Sequence, residues 1–185
     1  MSHQNEHIDR LLDLCRQGKQ SAQMEIYNRY YKAMYNIANR IVKNPAEAED
    51  VMQESFLNAF TKLHTFKGEV AFGAWLKRIV VNNSIYHYNK EKRNRAVDLD
   101  EIMYKVEDND EVALDSNGFA ELKAQKVMET MKSLKDNYRV SLTLHLIEGY
   151  DYDEISEIMN ISYANCRTTI SRAKQSLRKK LTVNA

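Results

Sequence analysis

Asp151-Tyr152-Asp153-Glu154-Ile155-Ser156-Glu157-Ile158-Met159-Asn160-Ile161-Ser162-Tyr163-Ala164-Asn165-Cys166-Arg167-Thr168-Thr169-Ile170-Ser171-Arg172 contains two helix starts separated by one tight turn. Asp151 is a good N-cap, and Glu154 stands three residues on, where a capping box places its acid. A short helix is predicted over residues 152–159. Asn160 tolerates the left-handed backbone that a helix exit needs. Ser162 then caps a second helix that runs to about residue 181. This is the pattern of a helix-turn-helix. In the second helix Cys166, Ile170, Ala173, Leu177 and Leu181 share one face, and Arg167, Ser171, Lys174 and Arg178 share the opposite one. After Glu157 the chain has six Lys/Arg and no Asp/Glu. One face is expected to pack and the other to enter a DNA major groove, with the helix N-terminus aimed at bases or phosphates. The plainer alternative is a solvated basic face on a packing helix.

Working back toward the N-terminus, Gly149 breaks a helix predicted over residues 136–148. Another is predicted over residues 119–133, and the two part near Leu134-Lys135. Residues 96–118 have weak periodicity and dense negative charge, the composition of a tether that cannot bury enough apolar surface to order itself. Val97, Leu99, Ile102, Met103, Val106 and Leu114 are scattered through it, enough to dock on something. The net charge is only +1, but it is unevenly spread. Residues 1–96 carry 15 Lys/Arg against 10 Asp/Glu, residues 97–121 carry 1 against 9, and residues 122–185 carry 11 against 7. Two basic modules flank an acidic segment, a footprint of nucleic-acid binding that the total conceals.

The first module reads as four helices. Residues 8–17 place Ile8, Leu11, Leu12 and Cys15 on one face, and Gly18 follows. Residues 21–42 repeat Met24, Tyr27, Tyr31, Met34, Ile37, Ala38 and Ile41 at helical spacing. Asn44-Pro45-Ala46-Glu47 is a start signal: an N-cap, a proline in the first turn and a capping-box acid. The helix that follows reaches about residue 63 and buries Ala48, Val51, Met52, Ser55, Phe56, Ala59 and Phe60. Its polar side, around Glu47, Glu49, Asp50, Gln53 and Glu54, is acidic within a basic module. That suits docking a basic protein partner, although a solvated helix face has the same look. After a loop over residues 64–69, a helix from near residue 70 to about residue 92 carries Phe72, Trp75, Leu76, Ile79, Val80 and Ile85 as its apolar set.

Across residues 66–95, Phe66, Phe72, Trp75, Tyr86 and Tyr88 interleave with Lys67, Lys77, Arg78, Lys90, Lys92, Arg93 and Arg95. Aromatics beside cations suit single-stranded DNA, where bases stack and phosphates are neutralised, although most of these rings are expected in the core. Asn82 and Asn83 are poor choices for a helix interior. They can hydrogen-bond the edge of an extruded base, or they are simply exposed.

With one proline, five glycines and 43% hydrophobic residues, the expectation is an all-α protein. It would form two small helical domains, each marginal alone: residues 1–95, an acidic linker at 96–118, and residues 119–185. No run of about 18 apolar residues occurs, so no membrane insertion is expected. The polar N-terminus lacks the apolar stretch of a signal peptide, and a cytoplasmic location follows. Cys15 and Cys166 fit buried thiols rather than a bridge. No Gly-rich phosphate loop, Ser/His/Asp set or Cys-x-x-Cys occurs, and His3 and His7 lie in a polar tail. No enzyme, catalytic residue, cofactor, metal site or small-molecule substrate is expected.

Three stretches together resemble the extracytoplasmic-function sigma factors of the sigma-70 family. Tyr31-Lys32-Ala33-Met34-Tyr35-Asn36-Ile37-Ala38 and Asn44-Pro45-Ala46-Glu47-Ala48-Glu49-Asp50-Val51-Met52-Gln53-Glu54-Ser55-Phe56 look like the core of region two. Phe66-Lys67-Gly68-Glu69, then Phe72-Gly73-Ala74-Trp75-Leu76-Lys77-Arg78-Ile79, looks like the promoter-melting stretch. Leu134, the run from Gly149 to Met159, and Thr169-Ile170-Ser171-Arg172-Ala173-Lys174 look like region four.

The resemblance implies an RNA polymerase sigma factor in a minimal two-module form. Such a factor binds core RNA polymerase and directs sequence-specific promoter recognition and transcription initiation. Asp50, Gln53 and Glu54 would engage the polymerase clamp helices. Lys67, Gly68 and Glu69 would help form a pocket for a flipped −10 base, with Asn82 recognising it and Lys77, Arg78 and Asn83 binding the same −10 DNA. Arg167, Thr168, Ser171, Arg172 and Lys174 would read the −35 element. The tether would thread toward the RNA exit path, where a polyanion suits a channel built for RNA. An anti-sigma factor is the implied regulator. The turn departs from the family's usual Pro and Gly-Thr, reading Ser162-Tyr163-Ala164-Asn165, and Thr169 stands where Arg is frequent. These departures leave the −35 sequence open. The rival reading is a helix-turn-helix transcriptional regulator with an N-terminal sensing or dimerisation domain.

Overall fold

The computed structural model describes residues 2–98 and 119–183, and every regular element among them is helical. The chain divides into two compact units, Met1–Lys90 and Glu91–Ala185. The all-α expectation holds. Residues 96–98, read from the sequence as the start of the tether, are helical, and the rest of it, from Leu99 onward, lies outside the described residues.

The first unit is built from α1 (Ser2–Arg16), α2 (Gln20–Val42), α3 (Pro45–Thr61), a 3-10 turn (Leu63–Thr65) and α4 (Phe72–Asp98), whose last residues extend beyond the unit. α1 begins earlier than residue 8, and α4 runs past residue 92. Leu11, Leu12 and Cys15 of α1 are buried, as are Met34, Ile37, Ala38 and Ile41 of α2, on the faces their spacing predicts. Met24, predicted apolar-inward, is exposed, and Ala22 and Ile26 are buried instead. α2 ends with Lys43 in the left-handed region at φ 72. That conformation is uncommon for a residue with a β-carbon. Pro45 has no amide hydrogen with which to continue α2, and it holds Asn44 in the extended conformation an N-cap uses.

Asn44 caps α3 as expected, its Oδ1 accepting from the Ala46 and Glu47 amides at 3.0 and 3.3 Å. Glu47 closes back on the Asn44 side-chain amide rather than on its backbone. Phe66, Phe72, Trp75 and Tyr30 form one aromatic cluster with centroid separations of 5.3–5.7 Å. Gly73 sits where Tyr30 presses on α4: a β-carbon there would meet the tyrosine ring at 3.0 Å.

The second unit contains α5 (Phe119–Lys132), α6 (Asp136–Leu142), a π turn (Thr143–Ile147), α7 (Tyr152–Met159) and α8 (Tyr163–Val183). The helix predicted over residues 136–148 therefore widens in its second half. The Glu148 amide bonds the Thr143 carbonyl five residues back. Arg139 through Leu144 are all buried, so the second half of α6 and the start of the π turn are enclosed on every side. Gly149 at φ +80 then turns the chain into α7. Val140, Leu142, Leu144, Ile155, Cys166, Ile170 and Ala173 are each at most 1% exposed and form the core. Lys180 Nζ reaches the Ser133 carbonyl at 2.8 Å and its hydroxyl at 3.1 Å, bonding a carbonyl just past the end of α5.

Candidate nucleic-acid interface

α8 separates its faces as its spacing predicts. Cys166, Ile170, Ala173 and Leu177 are buried, while Arg167, Thr168, Ser171, Arg172 and Arg178 are exposed and Lys174 is half-buried. The elements before it fix its start. Asp151 Oδ1 accepts from the Glu154 amide at 2.8 Å, and Glu154 Oε2 accepts from the Asp151 amide at 3.0 Å, completing the capping box. Asn160 adopts the left-handed region at φ 51, and Ser162 Oγ accepts from the Asn165 amide at 3.3 Å. The helix-turn-helix geometry read from the sequence is present.

Two features at this end were not read from the sequence. Tyr163 is 46% exposed at the first turn of α8. Its ring meets Tyr152 edge-on at 6.3 Å, and Tyr152 stacks on His145 at 5.0 Å. His145 Nδ1 lies 3.1 Å from the Tyr150 carbonyl, which can only accept, so that nitrogen carries the proton. An aromatic brace thus holds the corner of the turn. The second feature is the set of hydroxyls: Thr168 Oγ1 donates to the Ala164 carbonyl at 2.8 Å, and Thr169 Oγ1 to Asn165 Oδ1 at 3.3 Å. Nothing in residue spacing announces either. Burial pushes the Cys166 thiol above its ordinary pKa, with a smaller push from Asp153, and burial alone raises Cys15.

In the first unit, α4 divides the residues assigned to melting. Trp75, Arg78, Asn82 and Tyr86 fall at helical spacing along one side. Trp75 is half-buried in the aromatic cluster, Arg78 and Asn82 are exposed, and Tyr86 is 61% exposed. Lys77 is half-buried on the opposite side of the helix. Asn83 turns toward α3, where its Nδ2 donates to Ser55 Oγ at 3.0 Å. Ser55, fully buried, donates in turn to the Val51 carbonyl at 2.6 Å. The two adjacent amides therefore do different things. Lys67, Gly68 and Glu69 are exposed on a loop pinned by buried Phe66, whose carbonyl accepts from Arg16 Nη2 at 3.3 Å.

On α3 the acidic and amide residues stay at the surface. Asp50, Gln53 and Glu54 are exposed; Gln53 Nε2 donates to Glu49 at 3.2 Å, and Glu54 Oε2 lies 3.2 Å from His87 Nε2 on α4. Leu57 continues the same side and is 68% exposed. It has no place in the packed face, and that misfit with the apolar spacing is the signal that singles it out.

Sigma-70 region 2 matches residues 26–94, and sigma-70 region 4 matches residues 124–177. The ECF RNA polymerase sigma-E factor of Salmonella typhimurium (strain 14028s / SGSC 2262) is 30% identical over 92% of each chain. The chain belongs to the extracytoplasmic-function family of RNA polymerase sigma factors. The ECF sigma factor SigW of Bacillus subtilis (strain 168) is 28% identical over 94% of this sigma factor and 96% of its own length. The fold is also that of the sigma factor RpoE from Bartonella quintana, solved with the anti-sigma factor NepR. That likeness covers 88% of this sigma factor and 98% of RpoE at 22% identity, with a TM-score of 0.58. Region 2 lies in the first unit apart from its last residues, and region 4 lies in the second. No helix among the described residues is long and apolar enough to cross a membrane.

Proposed function

We propose that this sigma factor binds core RNA polymerase through α3, holds unpaired promoter bases with α4 and the loop before it, and reads duplex DNA with α8. Asp50, Gln53 and Glu54, continued by Leu57, form the polymerase-facing stripe. Lys67, Gly68, Glu69, Lys77, Arg78 and Asn82 bind the −10 element, with Asn83 tying α4 to α3 beside them. Arg167, Thr168, Ser171, Arg172 and Lys174 face the −35 element. Residues 1–95 and 119–185 act as the two DNA-bearing domains, and residues 96–118 as the acidic linker. An anti-sigma protein that covers these surfaces is the proposed regulator, and the site of action is the cytoplasm. The chemistry is binding rather than catalysis: unstacking a base costs a few kcal/mol, which stacking and pocket contacts offset.

One observation carries this reading. The exposed carboxylate and amide stripe on α3 lies within residues 26–94, while exposed Arg167, Thr168, Ser171 and Arg172 of α8 lie within residues 124–177, each inside the matching sigma region. The regulator alternative has nothing comparable behind its sensing or dimerisation domain. Run-off transcription on genomic fragments, with core polymerase and the full chain, tests the proposal. Discrete transcripts that depend on the chain are expected. Their absence with competent core enzyme overturns it.

A further inference from the structure

The first turns of α8 present carbon where their neighbours present charge. Thr168 is exposed, and its hydroxyl proton is committed to the Ala164 carbonyl. With the hydroxyl turned back onto the helix, the methyl is what this side chain offers to a docking surface. Ala164 lies one turn earlier on the same face, is exposed, and carries only a methyl. Thr169 likewise sends its hydroxyl to Asn165, inside the helix. Arg167 and Arg172 stand exposed beside the two methyls. Guanidinium groups at that edge suit phosphates or guanine, but the methyl pair suits neither. Among the four bases, thymine alone offers an apolar group in the major groove, its 5-methyl.

We infer that the methyl pair of Ala164 and Thr168 reads the 5-methyl of one thymine in the upstream promoter element. The inference rests on α8 being the recognition helix and adds the base class that this part of it selects. Burying one methyl against another is worth about fourfold in affinity.

The test uses holoenzyme assembled from the full chain and core polymerase, with assembly read by gel filtration before DNA is added. On a promoter recovered by run-off, each thymine of the upstream element, on either strand, is replaced singly by deoxyuridine, which lacks only the 5-methyl. One replacement is expected to weaken wild-type binding about fourfold. Thr168→Val keeps the methyl and should keep that sensitivity. Thr168→Ser keeps the hydroxyl, loses the methyl, and should bind the thymine and deoxyuridine promoters equally. The inference is overturned if holoenzyme binds its promoter specifically yet every deoxyuridine is neutral, or if Thr168→Ser discriminates as wild type does. Failure of the holoenzyme to assemble overturns the proposed function itself, a result distinguishable because it appears before any DNA is present.

Discussion

Asn82 and Asn83 show how far two neighbouring, chemically identical residues can diverge. Consecutive helical positions point about 100° apart, so one amide reaches solvent beside Arg78 while the other reaches Ser55 on α3. Asn83→Ala leaves the buried Ser55 hydroxyl without a donor and should cost about 1 kcal/mol, seen as a lower thermal midpoint. Asn82→Ala should leave that midpoint unchanged and instead reduce promoter opening by holoenzyme, measured as permanganate reactivity of unpaired thymines. Equal melting losses for the two variants would contradict the division. The sequence identified the pair as unusual for a helix interior. It did not separate them, because the Ser55 partner lies 28 residues away on another helix, beyond the reach of local spacing. The thiols provide a further check. Burial raises Cys15 and Cys166, so less reactive thiolate is present at a given pH. Both should alkylate more slowly than free cysteine at neutral pH, and the gap should close on denaturation.

The helix boundaries that were legible are those set by neighbouring residues. Asp151 with Glu154, Asn160 and Ser162 each act within a few residues, and each does in the structure what its chemistry suggests. Asp151→Ala should cost about 1 kcal/mol, measured by chemical denaturation, and a loss near zero would mean the second unit does not depend on this cap. The π turn at Thr143–Ile147 and the left-handed Lys43 were not legible. Both depend on packing or on how a chain exits one helix to enter another, and neither has a residue signature of its own. The same holds for the brace of His145, Tyr152 and Tyr163, three aromatics on separate elements. Removing a buried side chain from the α8 face is the harsher test at this scale. Ile170→Ala should destabilise by about 2–5 kcal/mol.

For the molecule as a whole, the uneven charge mattered more than its +1 sum. Two basic regions and an acidic stripe on α3 suit a protein that engages DNA and a basic protein surface at once. A duplex-binding regulator would show salt-dependent, sequence-specific DNA binding on its own. This sigma factor should show specific binding only in the presence of core polymerase. The central claim is that the α3 stripe joins the chain to that enzyme, and its most direct test is the affinity of the full chain for purified core polymerase. Wild type should bind stoichiometrically. Asp50→Lys, an exposed change that should leave thermal melting unaltered, should weaken binding at least about tenfold, because facing like charges across an interface costs several kcal/mol. Wild type that ignores core polymerase, or Asp50→Lys that binds it as tightly as wild type, would contradict the account.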